Sequence, residues 1–275
     1  MSTELNGEKL LAVAARAAES AADAHREGRG RIDPSAWSEK GRSDFVTEVD
    51  IEAERRIVET IRAAFPDHAV LAEEGTGEDP GASGAAVRWI IDPLDGTTNW
   101  LHGYPEYAVS IAAEDADGLL AGLVLNSATG ERFEASRGTG ARRDGASISV
   151  SSVSRLEHAL VGTGFPFKKL EMMPDYLATF DRVLRNTSGI RRAGAAALDL
   201  CDLACGRLDA FFEFWLMPWD VAAGALIVRE AGGLFEKLEG QRSAETGPPE
   251  LRAGGFLASN RSLAPQFRDL VRGTT

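Results

Sequence analysis

Trp89-Ile90-Ile91 runs straight into Asp92-Pro93-Leu94-Asp95-Gly96-Thr97-Thr98-Asn99. The apolar residues predict a strand end buried in a sheet. Two carboxylates three residues apart at such a place repel each other in low dielectric unless a cation joins them. Pro93 stiffens the segment, and Thr97, Thr98 and Asn99 are good helix-start residues. A helix start offers free N–H groups to a phosphate. The junction calls for a sheet whose strand end opens on a ligand crevice, which is where open α/β sheets place their sites.

Two further acidic clusters stand beside expected element ends. Glu73-Glu74 follows Val70-Leu71-Ala72, and Trp219-Asp220 precedes a helix. Each acidic group also has an ordinary reading: Glu73-Glu74 as a solvated loop, Asp95-Gly96 as a turn, Asp220 as a helix N-cap. Hard divalent cations take oxygen ligands, and the chain offers carboxylates rather than a cysteine–histidine set. Cys201 and Cys205 lie in a helical segment with Leu198, Leu200 and Leu203; they make no disulfide framework and read as core. His25, His68, His102 and His158 form no pair with ligand spacing. A net charge of −12 disfavours a nucleic-acid partner, because the overall field repels phosphate backbones. No apolar run is long enough for a membrane span, and no basic stretch followed by an apolar one opens the chain. The expected location is the cytoplasm.

Hydrophobic residues make up 44% and charged residues 26% of the 275, which suits a packed core and excludes a disordered chain. Leu10, Leu11, Val13, Ala14, Ala17, Ala18 and Ala21 recur at helical spacing through residues 8–24. A second helix runs from about Thr47 with Ile57, Val58, Ile61 and Phe65 on one face, and Pro66-Asp67 closes it. Ala69–Ala72 and Val87–Ile91 fit buried strands. From Tyr107 to Val150, β-prone runs broken at Asp117-Gly118, Thr129-Gly130 and Asp144-Gly145 predict an antiparallel meander. Beyond it, strands at Ala159–Thr163, Gly189–Arg192 and Leu208–Phe214 alternate with helices at Pro174–Leu184, Ala195–Ala204 and Val221–Ala231. Gly255 opens a last strand and Ser262 a last helix. The pattern predicts an α/β (α+β) fold of mixed and antiparallel sheets covered by helices, one domain over residues 1–275 with two lobes meeting near residue 150.

Asp92-Pro93-Leu94-Asp95-Gly96-Thr97 resembles the signature of the inositol monophosphatase family, and Trp219-Asp220-Val221-Ala222-Ala223-Gly224 its second signature. Leu71-Ala72-Glu73-Glu74 is similar to the family's metal-binding Gly-Glu-Glu segment, with Ala72 in place of glycine. Asp44-Phe45-Val46-Thr47-Glu48-Val49-Asp50 resembles its early Asp-x-x-Thr-x-x-Asp run. Gly162-Thr163-Gly164-Phe165-Pro166 and Arg191-Arg192-Ala193-Gly194-Ala195-Ala196 also fit, so the matches run in order from Lys40 to Gly233. The resemblance implies a single catalytic domain with the layered αβαβα sandwich of the sugar-phosphatase type. It implies a homodimer and a lithium-sensitive, Mg2+-dependent hydrolysis of a small phosphorylated polyol, above all myo-inositol 1-phosphate.

The same resemblance assigns roles. Glu73, Asp92 and the Leu94 carbonyl would hold one Mg2+; Asp92, Asp95 and Asp220 a second; a third ion would lean on Glu73. Thr97 and Asp50 look like the dyad that orients and deprotonates the attacking water. Gly96 and Thr97 would donate backbone N–H groups to the phosphate. Glu213 and Asp220 would face the polyol, with Gly194, Ala195 and Ala196 as the neighbouring wall. Ala195 stands where several relatives carry a hydroxyl. Lys40 would help close the site, with Asp44, Thr47 and Glu74 in support. Thr47-x-x-Asp50 fits a capping box equally well, Lys40 a solvated loop lysine, and Glu213 a surface carboxylate at a strand end. Trp215 and Trp219 read as packing residues.

Within the same fold, the resemblance also covers phosphatases for fructose 1,6-bisphosphate, histidinol phosphate and NADP. Some bacterial members of the family act instead as binding partners of the transcription machinery. The Arg191-Arg192 pair would suit such an interface, or a salt-bridged structural role.

Overall fold

The computed structural model describes residues 7–29, 38–41, 44–75, 85–238 and 252–273, with the backbone alone from 38 to 46. Helix α1 (Gly7–Gly28) leads to the antiparallel pair β1 (Ser38–Gly41) and β2 (Asp44–Val46), then to α2 (Glu48–Ala64). A seven-stranded sheet follows in chain order: β3 (Ala69–Ala72), β4 (Arg88–Asp95), β5 (Ala108–Asp115), β6 (Gly118–Asn126), β7 (Arg132–Ser136), β8 (Ala141–Arg143) and β9 (Ala146–Ile148). The β3–β4 pair is parallel and every later pair antiparallel. The short helix α3 (Thr97–His102) lies between β4 and β5.

The second half supplies β10 (Leu160–Thr163), α4 (Met173–Asn186), β11 (Gly189–Arg191), α5 (Ala196–Ala204), β12 (Ala210–Leu216), α6 (Pro218–Glu230), β13 (Leu234–Lys237), β14 (Gly254–Ser259) and α7 (Ala264–Arg272). Its five strands stand in the order β11-β10-β12-β14-β13. β10 pairs parallel with both neighbours, and β14 antiparallel with both of its own.

Side-chain alternation along the strands sorts the core into layers. On β4, Trp89 and Ile91 bury against α1 and α2, while Ile90 faces α5 and α6. On β12, Phe211 points inward to α5 and α6, while Ala210, Phe212 and Phe214 point outward to the Tyr176, Val183, Phe267 and Leu270 side chains of α4 and α7. The result is a five-layer αβαβα sandwich, as expected, with α5 and α6 buried between the sheets. Both of those helices are apolar nearly all round, as a central layer requires. Each fully buried Phe, Ile or Leu contributes about 1.5–3 kcal/mol relative to exposure. Small residues set how close α6 can come: a Cβ on Gly122 of β6 would stand 3.0 Å from the Ala223 carbonyl oxygen.

Most predicted elements fall within a few residues of their observed ends. Helix α6 starts at Pro218 rather than Val221, because proline needs no N–H partner in the first turn. Asp220 is therefore not an N-cap; it lies inside the first turn and its Oδ2 accepts the Met217 N–H at 2.6 Å. Strand β13 was not anticipated. It is a short edge strand with Phe235 inward and Glu236 paired to Arg268, too charged to read as a strand.

Candidate active site

Asp92 and Asp95 both line a pocket between the two sheets, although residues three apart on a regular strand point to opposite faces. An irregularity in the β4–β5 register between Asp92 and Asp95 makes this possible. Pro93, which has no N–H for the ladder, sits in that irregularity. Asp92 is 2% exposed, and its Oδ1 accepts the Leu94 N–H at 2.9 Å. Gly96 then turns the chain into α3 with φ of 88°. A side chain there would bring Cβ to 2.9 Å from the Glu106 carbonyl oxygen, so the turn requires glycine. The Thr97 hydroxyl stands 3.0 Å from the Leu94 carbonyl and 3.1 Å from Asp50 Oδ1.

Other elements close the pocket. Glu73 follows β3 and donates its N–H to the Ile91 carbonyl, which ties it to the strand that carries Asp92. Asp220 projects from the first turn of α6. Helix α5 has Ala195 at its N-cap, with no side chain to satisfy the free N–H groups. Asp95 does so from another strand: its Oδ2 accepts the Ala197 N–H at 2.8 Å. Opposite lie Glu213 of β12 and the Phe165, Phe167 and Lys168 segment. The Lys168 ammonium is 3.9 Å from Glu73 Oε1.

The electrostatics are those of carboxylates held together against their repulsion. Burial, then Glu73, Asp95 and Asp220, push Asp92 well above the usual carboxylate range. Burial and Asp220 push Asp95 up to about 7. Burial and Asp220 also raise Glu213, against the pull of Arg192. Among the described residues these groups share a pocket without closing into a cage of three or more acidic, histidine or cysteine ligands. Asp92, Asp95 and Asp220 each accept a backbone N–H through one oxygen, which fixes the orientation of the carboxyl. An all-oxygen donor set of repelling carboxylates fits Mg2+.

Glu73, Asp92, Leu94, Asp95, Gly96, Thr97, Gly194, Ala195, Ala196, Glu213 and Asp220 all line this one pocket. Asp50 stands behind Thr97, 2% exposed. Thr47 caps α2 in a complete capping box with Asp50. Glu74 lies off the pocket, its N–H donated to Glu54 Oε2 at 2.7 Å. Lys40 and Asp44 fall on β1 and β2, and their side chains lie outside the described residues. Glu213 is not the surface carboxylate of the ordinary reading, since it faces the pocket.

Some lining residues had no role in the sequence. Trp215 is more than packing: it lines the pocket under the Lys169 ammonium, 4.7 Å from the ring centroid. Arg192 forms no salt bridge among the described residues. Its guanidinium lies 5.5 Å from the Phe165 ring centroid and 5.3 Å from that of Phe167. Gly-Phe-Pro-Phe-Lys after a strand was the available signal for this wall.

A five-layer sandwich with an acidic crevice between its sheets is of the sugar-phosphatase type. The chain belongs to the inositol monophosphatase family, which matches residues 6–273. It is 47% identical over 253 residues to the Nus factor SuhB of Pseudomonas aeruginosa, covering 91% of each chain. The crystal structure of the extragenic suppressor protein suhB from Bartonella henselae superposes with a TM-score of 0.87 at 37% identity, covering 97% of this chain and 100% of that one. The inositol monophosphatase of Anabaena (Nostoc) gives a TM-score of 0.82 at 33% identity, over 97% and 96% of the two chains.

Proposed function

We propose that the protein is a Mg2+-dependent phosphomonoesterase for small polyol phosphates, with myo-inositol 1-phosphate as the leading substrate. The convergence of Glu73, Asp92, Asp95 and Asp220 on one pocket carries this reading. Glu73, Asp92 and the Leu94 carbonyl would hold one ion, and Asp92, Asp95 and Asp220 a second, with a third leaning on Glu73. Bound Mg2+ would neutralise the phosphate dianion and lower the pKa of the attacking water. Thr97 and Asp50 would orient that water and take its proton. Gly96 and Thr97 would turn their N–H groups to the phosphate, while Glu213 would accept hydrogen bonds from polyol hydroxyls beside the Gly194–Ala196 wall. A homodimer, a cytoplasmic location and inhibition by lithium belong to the same reading.

The test is phosphate release with Mg2+ from a panel of inositol phosphates, fructose 1,6-bisphosphate, histidinol phosphate and NADP. The expected result is strongest turnover of myo-inositol 1-phosphate. A clear preference for another member would move the substrate assignment, and turnover of none would remove the enzymatic reading.

The relatives named Nus factor favour a second reading, in which the chain also binds the transcription machinery. That role needs protein contacts and no carboxylate set. Co-purification of RNA polymerase with the tagged chain, retained by Asp92→Asn, would support it. Its absence in both forms would sink it.

A further inference from the structure

The polyol side of the pocket contains a carboxyl that none of the roles above uses. Asp199 stands in the first turn of α5, is 3% exposed and lines the pocket. Among the described residues its side chain has no hydrogen-bond or ion-pair partner. A carboxyl so shielded and without a protein partner costs folding free energy, and the pocket is the side on which it can find one.

The β10 backbone beside it carries glycine where a side chain would crowd its neighbours. β10 runs into Gly164 through Gly162 and Thr163, and alternate residues of a strand share a face. A Cβ on Gly162 would stand 3.6 Å from Asp199 Cγ, and one on Gly164 would stand 2.2 Å from Glu213 Oε2. Gly164 thus leaves room for the Glu213 carboxylate, while the Gly162 face is packed by Leu208 Cδ1 and Phe211 Cδ2 with the Asp199 carboxyl just beyond them. Both carboxyls open on the same pocket. Burial raises Asp199 well above the usual carboxylate range, and Glu213 is the charge that raises it most. Two carboxyls facing one pocket keep a proton on one of them more readily than they hold two charges. A protonated carboxyl donates and accepts, whereas a carboxylate only accepts. Adjacent hydroxyls of a polyol need both kinds of partner.

We infer that Asp199 is a further specificity-determining residue, which together with Glu213 receives two neighbouring hydroxyls of the substrate polyol. The inference rests on the polyol phosphatase reading above. It predicts a site selective for substrates with vicinal hydroxyls set back from the phosphate, and indifferent to Asp199 when the ester carries none.

The experiment compares kcat/KM for myo-inositol 1-phosphate and p-nitrophenyl phosphate in the Mg2+-loaded wild type, Asp199→Ala and Asp199→Asn. The ratio of the two constants is taken on one sample, so a misfolded fraction cancels. Asp199→Ala should lower that ratio about tenfold, the effect of a lost hydrogen bond in a dry site. Asp199→Asn, whose amide also donates and accepts, should keep it within about threefold of wild type. An unchanged ratio in Asp199→Ala, with wild type still preferring the inositol ester, overturns this inference and leaves the polyol reading standing. Asp199→Asn falling as far as Asp199→Ala overturns the hydrogen-bonding role. A wild type without preference for the inositol ester overturns both readings together.

Discussion

Thr97 Oγ1 lies 3.1 Å from Asp50 Oδ1, across 47 residues of chain. The other oxygen of Asp50 is taken by Thr47, whose N–H and hydroxyl donate to it at 2.9 and 2.5 Å. Helix capping and the contact with Thr97 therefore use opposite oxygens of one carboxyl. Burial pushes Asp50 up to about 6 in spite of those donors, which puts it near the range of a working general base.

Thr97→Ala should lower kcat by about 10²-fold with little change in KM, because it removes proton handling and leaves the phosphate contacts. Steady-state kinetics on the inositol ester checks this. An unchanged kcat would leave Thr97 as a helix-start residue only.

Repulsion among Asp92, Asp95 and Asp220 leads to the second prediction. EDTA should abolish phosphate release and Mg2+ should restore it. Asp92→Asn and Asp220→Asn should each lower kcat by at least about 10²-fold. In EDTA, Asp92→Asn should melt no lower than wild type, since it removes a buried charge among like charges. Full turnover in EDTA would exclude the metal mechanism, and a collapsed Tm in Asp92→Asn would mean that the carboxylate is structural.

The acidic clusters were legible because each stands in a local pattern: an apolar run before Asp92, another before Glu73, and a helix pattern after Asp220. The layered fold was legible from the same alternation of runs. Arg192 over Phe165 and Phe167 was not, because the contact depends on the pairing of β10 with β11, which sets the segments after them side by side and which no spacing encodes. Nor was the bond from Asp95 to the Ala197 N–H, which joins residues 102 apart. β13 escaped because its pattern lies in only four residues, two of them charged.

Gly164 gives the third prediction. A methyl there would fall 2.2 Å from Glu213 Oε2, so Gly164→Ala must displace that carboxylate. Glu213→Gln keeps the position and removes the charge. Each variant should cut kcat/KM for myo-inositol 1-phosphate by about ten- to hundredfold and spare p-nitrophenyl phosphate, whose phosphate uses the acidic side alone. Equal losses on both esters would show that Glu213 supports the whole site.

The last prediction concerns His25, which is 1% exposed in α1. Its Nδ1 lies 2.9 Å from Ser127 Oγ, its ring meets Tyr107 edge to face, and the Pro93 carbonyl lies close to the imidazole. Burial pushes the imidazole down to about 3, against a smaller opposing pull from the Pro93 carbonyl. The folded state therefore keeps His25 neutral where the unfolded chain, titrating near 6.5, takes up a proton. Between those two values the unfolded state binds more protons, so stability rises with pH. The contribution is complete above pH 6.5 and is lost as pH falls through the window toward about 3. From about pH 7.5 to pH 5 the loss should reach about 2 kcal/mol, at about 1.4 kcal/mol per unit. His25→Gln has no proton to gain. Its urea midpoint should start lower, because Ser127 loses its partner geometry, but fall less with acid than that of wild type. The carboxylates titrate in both proteins, so the difference in slope isolates the imidazole. Parallel slopes would mean that His25 is protonated in the fold, and that the pocket around it admits water.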